Sequence, residues 1–252
     1  MVFSADFLFL PKNVNDILED IMNKSKPNNL TNVRNITAIG LFSAIAFILC
    51  LVFHFKAMFL TFDLKDSVIT VGAMLLGPVP GLIMSVIVSL LDFLLIPSST
   101  GTGVYGLMMD IISSASFVCI GSWIYTYRRT MGGAVIGMVS SVLGMTAIMM
   151  GANILITPHY MSVSTSEVIA LIPTLLLPFN LTKAVFNAAL VFILYNPIAK
   201  AMRLAKFVPA GSSEGRTKNL NLTIAVTAVG LIVGAAALLY FFLGLGGSFS
   251  IN

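Results

Sequence analysis

The chain alternates between long apolar stretches and short segments in which the charged residues are gathered. Most of the apolar stretches run for about 20 residues, the length at which an α-helix crosses a hydrocarbon core about 30 Å thick. A shorter stretch, Ser67–Gly77, reaches spanning length only if part of Ala57–Asp66 is added. The pattern predicts an all-α integral membrane protein with seven spans. The six longer stretches are Ile36–Phe55, Pro80–Ile96, Tyr105–Tyr125, Gly132–Ile156, Ile169–Ile198 and Leu220–Leu245.

Composition agrees with a membrane location. Of the 252 residues, 58% are hydrophobic and only 10% are charged, whereas soluble domains carry about 25% charged residues. The two cysteines, Cys50 and Cys119, both fall inside apolar stretches. We interpret them as small buried hydrophobic residues and not as a disulfide framework or a metal site.

Basic residues predict the orientation in the membrane. On the side that would carry the loops Ala57–Lys65, Pro97–Val104 and Thr157–Val168, the only basic residues are Lys56 and Lys65. The positive-inside rule therefore predicts a cytoplasmic N-terminus and, with seven spans, a C-terminus outside. Eleven of the fourteen Lys and Arg residues lie on the other side: Lys12, Lys24, Lys26, Arg34, Arg128, Arg129, Lys200, Arg203, Lys206, Arg216 and Lys218.

Four segments follow from these boundaries. Residues 1–34 form a cytoplasmic N-terminal segment, and residues 35–206 form a six-helix membrane domain. A polar linker at 207–219 leads to an additional transmembrane helix at 220–247. Within the first segment we predict an amphipathic helix on the membrane surface, with a partly disordered tail as the alternative. Its apolar face would consist of Val14, Ile17, Leu18, Ile21 and Met22.

Polar residues inside the predicted spans are the strongest functional signal. An ionisable group in mid-membrane costs about 2.5–3.5 kcal/mol on insertion scales, so such groups are functional candidates. In span six, Asn180, Lys183 and Asn187 share one helical face because their spacing is i, i+3, i+7. Pro173 and Pro178 precede them and free backbone carbonyls one turn earlier. The other intramembrane polar residues considered are Asp92, Asp110 and Asn153.

Two interpretations of that face remain open. In the first, it lines a polar cavity in the outer half of span six. In the second, the amides bridge neighbouring helices and Lys183 pairs with Asp92 or Asp110.

Several function classes are disfavoured. The chain has no GxxxxGK[ST] or HExxH motif, so it lacks the signatures of a P-loop ATPase or a zinc protease. His54 and His159 fall at predicted membrane edges and are interpreted as interface residues. We therefore expect a binding protein and not an enzyme. A membrane enzyme or a stand-alone secondary transporter remains the alternative, although no inverted repeat is visible.

Four segments carry a family resemblance: "FDLKDSVITVGAMLLGPVPG" at 62–81, "STGTGVYGLMMD" at 99–110, "ANILITPHYM" at 152–161 and "LPFNLTKAVFNAAL" at 177–190. Together they resemble the substrate-binding S components of energy-coupling factor (ECF) vitamin transporters. The resemblance covers about residues 36–200, which is the six-helix bundle, and leaves the seventh helix as an addition. The F-N-x-x-K pattern in span six is most similar to the riboflavin-binding branch.

That resemblance implies a vitamin site. Riboflavin would be the transported ligand, with no resident cofactor or metal. By the likeness, Asn153, Asn180 and Lys183 would line the pocket, and their amide and ammonium groups suit the C=O and N–H edge of isoalloxazine. The apolar walls would come from Phe62, Tyr160 and Phe179, and the partners of the ribityl chain from Asp63, Thr100 and Thr102.

The chain also departs from the riboflavin pattern. Gly106 is followed by Leu107, where many members of that branch have a Glu, and span three carries Asp92 in place of a basic or amide residue. The ligand alternatives are therefore pantothenate, pyridoxine, folate or another small vitamin.

The resemblance implies partners as well. S components act in the prokaryotic cell membrane with a transmembrane coupling subunit and two cytoplasmic ATPases. Small residues on span one allow another helix to approach closely, and the alternative is packing against the protein's own helices. The face concerned consists of Thr37, Gly40, Ser43 and Ala44.

Overall fold

A computed structural model describes residues 29–53, 55–57, 60–96 and 103–207, together with positions 228, 232, 250 and 251. Seven α-helices account for most of this part of the chain. A single π-helical turn, Ile172–Leu176, joins α6 to α7 without a break. The helices are α1 (Asn29–Val52), α2 (Lys65–Leu76), α3 (Pro78–Leu95), α4 (Gly103–Tyr127), α5 (Met131–Met161), α6 (Thr165–Leu171) and α7 (Leu177–Leu204).

Five helical stretches among the described residues are long and apolar enough to cross a membrane. The predicted spans one, three, four, five and six correspond to them, so the all-α membrane fold class is confirmed. These stretches are Val33–Val52, Pro78–Leu95, Gly103–Tyr127, Met131–Met161 and Thr165–Leu204.

Predicted span two, α2, is the exception. It has 12 residues, which at about 1.5 Å per residue extend roughly 18 Å. All of its residues from Lys65 to Met74 are buried, and it packs against α3, α4 and α7. This helix is therefore a core element, shielded from lipid by its neighbours.

Three predicted elements fall outside this description. The amphipathic helix in residues 1–34 lies among residues that the structure does not describe, apart from the start of α1 at Asn29. The linker at 207–219 is described only at Phe207, and the helix at 220–247 only at positions 228 and 232. All three elements stay predictions.

The chain divides into two units after Thr37. The described part of the first unit is the beginning of α1, where the Thr37 hydroxyl donates to the Val33 carbonyl oxygen at 2.9 Å. The second unit, from Ala38 onward, contains the bundle. Its core is formed by Phe42, Ile69, Met84, Phe117, Met138 and Met145, all at most 1% exposed.

The outer surfaces of the long helices are strongly apolar. Leu94, Leu143 and Leu155 expose 71%, 63% and 72% of their surface. Such exposure would be unfavourable in water, but lipid tails are as apolar as leucine. The bundle is thus built to face hydrocarbon on its perimeter.

A small β-structure lies at one end of the bundle, in a region that the sequence predicts as loop and as the end of span one. Strand β1 (Phe55–Ala57) pairs antiparallel with β2 (Leu60–Phe62), and Phe55 lies opposite Phe62. A third strand, β3 (Ser250–Ile251), pairs with the other edge of β1. The helix of span one accordingly ends at Val52, three residues before the predicted limit.

Helices α4 and α5 approach each other closely at two glycines. A Cβ atom on Gly137 would lie 2.9 Å from the Gly121 carbonyl oxygen, whereas a Cβ on Gly151 of the same helix would meet nothing within 4 Å. We expect Gly137→Ala to lower the free energy of unfolding by about 1–3 kcal/mol, because the backbones must separate. Thermal unfolding in detergent measures this effect, and Gly151→Ala is the matched control. Equal melting temperatures for the two variants would contradict the close packing.

Candidate functional site

A cavity of about 90 Å³ lies where α7 faces the α3–α4 pair, with β2 and α5 completing its wall. Its lining combines charged, amide, hydroxyl and aromatic side chains. These residues are Leu60, Ser89, Asp92, Phe93, Gly106, Leu107, Met109, Asp110, Ser113, Met149, Tyr160, Phe179, Asn180 and Lys183.

The cavity lies toward one end of the bundle. At about 1.5 Å per residue, Lys183 is roughly 30 Å from the end of α7 at Leu204, and Asp110 roughly 25 Å from the end of α4 at Tyr127. Asp92 is only three residues from the end of α3 at Leu95. This is the end that carries the β1–β2 hairpin, and the positive-inside rule predicts that it faces outward.

The proline-rich start of α7 is built around the π-helical turn. Pro173 lies inside that turn and Pro178 opens the next helix, so two backbone donors are missing. In the first turns of α7 two side chains donate to carbonyls of their own helix: the Asn180 amide nitrogen to Leu176 O at 2.8 Å, and the Thr182 hydroxyl to Pro178 O at 2.7 Å. Single π-helical turns occur frequently at functional sites, and this one positions Asn180 beside the cavity.

Lys183 lines the cavity and also forms a buried ion pair. Its Nζ lies 2.9 Å from Asp63 Oδ2, and the two side chains are 5% and 1% exposed. The bridging interpretation offered Asp92 or Asp110 as the partner of Lys183, but the structure pairs it with Asp63. Asp63 directly follows β2, which brings it from a predicted loop into the core.

Asn187 has a structural role. Its amide nitrogen donates to Asp63 O at 3.2 Å and to Lys183 O at 3.1 Å, and its Oδ1 accepts from Ser67 N at 2.9 Å. These bonds join α7 to the beginning of α2, so the bridging interpretation holds for Asn187. For Lys183 both interpretations hold, because it bridges and lines the cavity.

A second buried ion pair joins α2 to α4. Lys65 Nζ lies 2.5 Å from Asp110 Oδ2, with side-chain exposures of 0% and 18%. Lys65 was predicted to be a basic residue in an outer loop, but it is fully buried because it begins the core helix α2. Together the two pairs neutralise both lysines beside the cavity.

The α3–α4 side of the cavity carries four polar residues that were not among the predicted vitamin contacts, although Asp92 and Asp110 were noted as intramembrane polar residues. Ser89 and Asp92 lie three residues apart on α3, and Asp110 and Ser113 lie three residues apart on α4. Such spacing places each pair on one helical face, and all four residues line the cavity. Asp92 Oδ1 accepts from the Cys50 thiol at 3.6 Å. The signal was available in the sequence as S-x-x-D and D-x-x-S within two predicted spans.

Aromatic rings form part of the wall, where Phe179 and Tyr160 line the cavity and contact further rings behind them. Phe179 meets Phe62 edge to face with ring centroids 6.4 Å apart, and Phe62 contacts Phe186 in the same way at 6.0 Å. Tyr160 stacks on Tyr105 at 6.2 Å. Such arrangements are the preferred geometries of aromatic pairs, and they present an apolar ring surface to any bound group.

Apart from Asn153, the predicted vitamin contacts divide into three groups. Tyr160, Phe179, Asn180 and Lys183 line the cavity. Phe62 and Asp63 are not among its lining residues but contact Phe179 and Lys183, respectively. Thr100 and Thr102 fall outside the described residues.

Asn153 differs from its predicted position. It is fully buried, and its amide nitrogen donates to Met149 O at 2.7 Å while its Oδ1 accepts from the Thr157 hydroxyl at 3.0 Å. It is absent from the cavity lining, which α5 reaches through Met149, one turn earlier, and through Tyr160. The side chain is occupied within its own helix.

The predicted small-residue face of α1 is only partly exposed. Thr37, Gly40 and Ala44 are exposed, whereas Ser43 is buried at 3%. Ser43 therefore faces the protein interior and does not belong to an outer contact surface. A Cβ atom on Gly40 would meet nothing within 4 Å, so α1 has open space beside this glycine.

Within the described part of the chain, no cluster of His, Cys, Asp and Glu suits a metal ion.

Comparisons with known proteins agree on one family. The family model described as "ECF transporter, substrate-specific component" matches residues 34–195. Riboflavin transporter RibU of Staphylococcus aureus (strain TCH60) is 26% identical over 191 residues, which cover 72% of this chain and 99% of that protein. Riboflavin transporter FmnP of Bacillus subtilis (strain 168) is 24% identical over 186 residues, covering 69% and 97%.

A solved structure shows the same fold. It is described as "Structure and mechanism of the S component of a bacterial ECF transporter" and superimposes with a TM-score of 0.58. The match covers 68% of this chain and 99% of that chain at 23% identity. The six-helix bundle inferred from the sequence thus has a solved counterpart.

Proposed function

This chain belongs to the substrate-specific (S) components of ECF transporters, and we propose that its ligand is riboflavin, captured on the outer side of the membrane. It is a transport component and not an enzyme, in agreement with the transporters that it resembles. Their names support riboflavin as the ligand. The observation that carries the proposal is the grouping of Asn180 and Lys183 with Phe179 and Tyr160 around one cavity.

The chemistry of that grouping suits a flavin. The pyrimidine edge of isoalloxazine presents C=O, N–H and C=O in a row. The Asn180 amide offers both an acceptor and donors, and the Lys183 ammonium offers donors only. The Phe179 and Tyr160 rings supply the apolar surface that the tricycle needs. A site that matches a ligand's buried polar groups discriminates strongly against analogues that lack them.

Ligand binding should enlarge the cavity. Its volume of about 90 Å³ is well below the roughly 300–1,000 Å³ of typical small-molecule pockets, so a tricycle with its side chain requires more room. Tyr105, which stacks on Tyr160, is 42% exposed, and we propose that this pair separates when the ligand enters. An enlargement toward α5 would bring Asn153 to the ligand, so its predicted contact remains part of this proposal.

The transport cycle requires partners. We propose that a transmembrane coupling subunit and two cytoplasmic ATPases drive release of the vitamin, since the chain has no nucleotide-binding motif of its own. The exposed stripe of Thr37, Gly40 and Ala44 on α1 is the proposed contact with the coupling subunit.

Equilibrium binding to the purified full-length protein tests the ligand. We expect saturable, one-to-one binding of riboflavin by calorimetric titration, and a yellow preparation if the vitamin is carried through purification. Pantothenate, pyridoxine and folate should neither bind nor compete. A colourless protein that binds only one of those vitamins would overturn the proposal.

Asn180→Ala should weaken riboflavin binding at least tenfold, or by about 1.4 kcal/mol, because it removes the amide from the cavity. The matched control is Thr182→Ala on the same helix. Both side chains donate to a carbonyl four residues earlier, but Thr182 does not line the cavity. Titration of both variants should therefore show weakened binding for Asn180→Ala alone. Equal affinities would remove Asn180 from the site.

A further inference from the structure

We propose that the end of the bundle opposite the β1–β2 hairpin binds phospholipids with negatively charged headgroups. The surface concerned, here called the basic end, consists of Arg128, Arg129, Lys200, Arg203 and Lys206. The positive-inside rule predicts that this end faces the cytoplasm. The inference goes beyond the proposed function, because it concerns the lipid around the protein and does not depend on which vitamin the cavity binds.

Positive charge is concentrated at the basic end. Two of its residues lie in the turn between α4 and α5, and the other three lie near the end of α7 or just after it. Arg128, Lys200 and Lys206 are exposed. The acidic residues that the structure describes all lie toward the hairpin end, so the described part of the basic end contains none. Two are in the cavity wall, two at the beginning of α2 and one in the first turn of α6: Asp92, Asp110, Asp63, Asp66 and Glu167.

A contact between Tyr125 and Tyr195 relates the two parts of the basic end. The hydroxyl oxygens lie 2.7 Å apart and the ring centroids 5.8 Å apart, so α4 and α7 are at the same depth there. At about 1.5 Å per residue, Arg203 lies roughly 12 Å further along α7, and Arg128 follows Tyr125 by three residues. The headgroup layer is about 5–8 Å thick on each side of the hydrocarbon core. Long basic side chains from both parts therefore reach the same headgroup layer.

Two exposed aromatic side chains mark the membrane boundary beside the arginines. Trp123 and Tyr127 are 56% and 75% exposed, and their ring centroids lie 6.4 Å apart. Each lies two residues from Tyr125, so they share a face of α4 that points away from α7. Trp and Tyr are enriched where the hydrocarbon core meets the headgroups. Arg128 directly follows Tyr127 and therefore lies at the depth of the headgroups.

A negatively charged phospholipid suits this surface better than a soluble anion or an acidic protein. Its phosphate accepts paired hydrogen bonds from an arginine guanidinium group. Its acyl chains lie against exposed apolar side chains such as Leu204, which is 76% exposed. Its net charge adds a long-range attraction to clustered basic residues at the membrane surface. A zwitterionic phospholipid has the same phosphate and acyl chains but also carries a cation, so this attraction is weaker.

Trp123 provides a direct test, because it is the only tryptophan among the 252 residues and its fluorescence reports on the lipid beside Arg128. Full-length, vitamin-free protein is placed in vesicles of equal parts phosphatidylglycerol and phosphatidylcholine. Bromine on the acyl chains of one lipid at a time quenches the indole on contact. We expect phosphatidylglycerol to occupy the position beside Trp123 at least about threefold more often than phosphatidylcholine.

Salt should weaken this lipid preference. Raising the concentration from about 0.1 to 1 M shortens the Debye length from about 10 to 3 Å, which screens the attraction between the arginines and the headgroups. Equal quenching by the two brominated lipids at low salt would overturn the proposal.

Variants assign the preference to the arginines. Arg128→Gln/Arg129→Gln should bring it close to one, whereas Arg128→Lys/Arg129→Lys keeps both charges and should retain most of it. Lys56→Gln removes a basic residue at the hairpin end and should leave the preference unchanged. An unaltered melting temperature shows that each variant is folded. An undiminished preference in the glutamine variant would contradict the role of the arginines.

The α7 side is tested separately, by thermal unfolding in detergent with added lipid. Phosphatidylglycerol should raise the melting temperature of the unaltered protein more than phosphatidylcholine does, because a ligand that binds the folded state stabilises it. Lys200→Gln/Lys206→Gln should lose part of that difference. Equal effects of the two lipids on the unaltered protein would overturn the proposal by this second measurement, whether or not the arginine variant folds.

Uptake assays distinguish lipid from a protein partner. If the glutamine variants keep the lipid preference but lose ATP-driven uptake in proteoliposomes, the basic end contacts the partner subunits and the proposal is wrong. Vitamin binding to the isolated subunit is a separate measurement at the other end of the bundle. Failure of the lipid proposal therefore leaves the proposed function intact.

Discussion

Replacing Lys183 with methionine should lower the free energy of unfolding by about 3–5 kcal/mol, because it leaves the Asp63 carboxylate buried without its ammonium partner. The Lys183 and Asp63 side chains are 5% and 1% exposed, and 2.9 Å separates Nζ from Oδ2. Riboflavin binding should be lost as well, since Lys183 lines the cavity. Chemical unfolding in detergent and calorimetric titration measure the two effects.

A double variant separates folding from binding. In Lys183→Met/Asp63→Asn a neutral amide replaces the buried carboxylate, so no unpaired charge remains. We therefore expect much of the stability to return while riboflavin binding stays weak. Lys200→Met, an exposed lysine on the same helix, is the matched control and should change stability by less than about 0.5 kcal/mol. Full riboflavin affinity in the double variant would show that Lys183 acts only as a structural partner.

Gly40→Leu should reduce ATP-driven riboflavin uptake at least about tenfold without changing the riboflavin affinity of the isolated subunit. Small residues let helices approach closely in a membrane, and a leucine on that stripe would hold the coupling subunit away. The isolated subunit tolerates the change because a Cβ at Gly40 meets nothing within 4 Å. Uptake is measured in proteoliposomes that contain this protein, the coupling subunit and both ATPases.

The control is Gly151→Leu, which makes the same substitution at another glycine with open space around it. It lies on α5, outside the proposed contact stripe, and should transport normally. If both variants transport equally well, the contact with the coupling subunit lies elsewhere. Uptake by the unaltered chain alone, without the ATPases, would instead support a stand-alone transporter.

Much of the bundle was predictable because the bilayer constrains it. A helix must satisfy its backbone groups internally and must match the hydrocarbon thickness, so apolar length alone located five spans. The α2 helix was harder to identify, since a core helix shielded by its neighbours need not be long. Spacing along a helix also did not identify which residues of α1 are exposed. It grouped Ser43 with Gly40 on one small-residue face, but Ser43 is buried, with 3% exposure.

The site itself was predictable only in part. Periodicity correctly placed Asn180 and Lys183 on one face of α7, and the structure places both in the cavity wall. The family resemblance implied that Asn153 lines the pocket, whereas in the structure its side chain forms hydrogen bonds within α5. Helical spacing determines which residues share a face, but an amide can always bond to its own helix.

By itself, the sequence determined the membrane fold class, the order of the helices and the intramembrane polar residues, because these depend on local composition and on spacing along one helix. The three-dimensional structure was needed to show that Lys183 pairs with Asp63, that Lys65 pairs with Asp110 and that Ser89 and Ser113 line the cavity. Such contacts join residues from different elements of the chain, and the choice of partner depends on how those elements pack. The hydrophobic pattern predicts that a polar face of a helix is buried. The neighbouring element determines which group contacts that face.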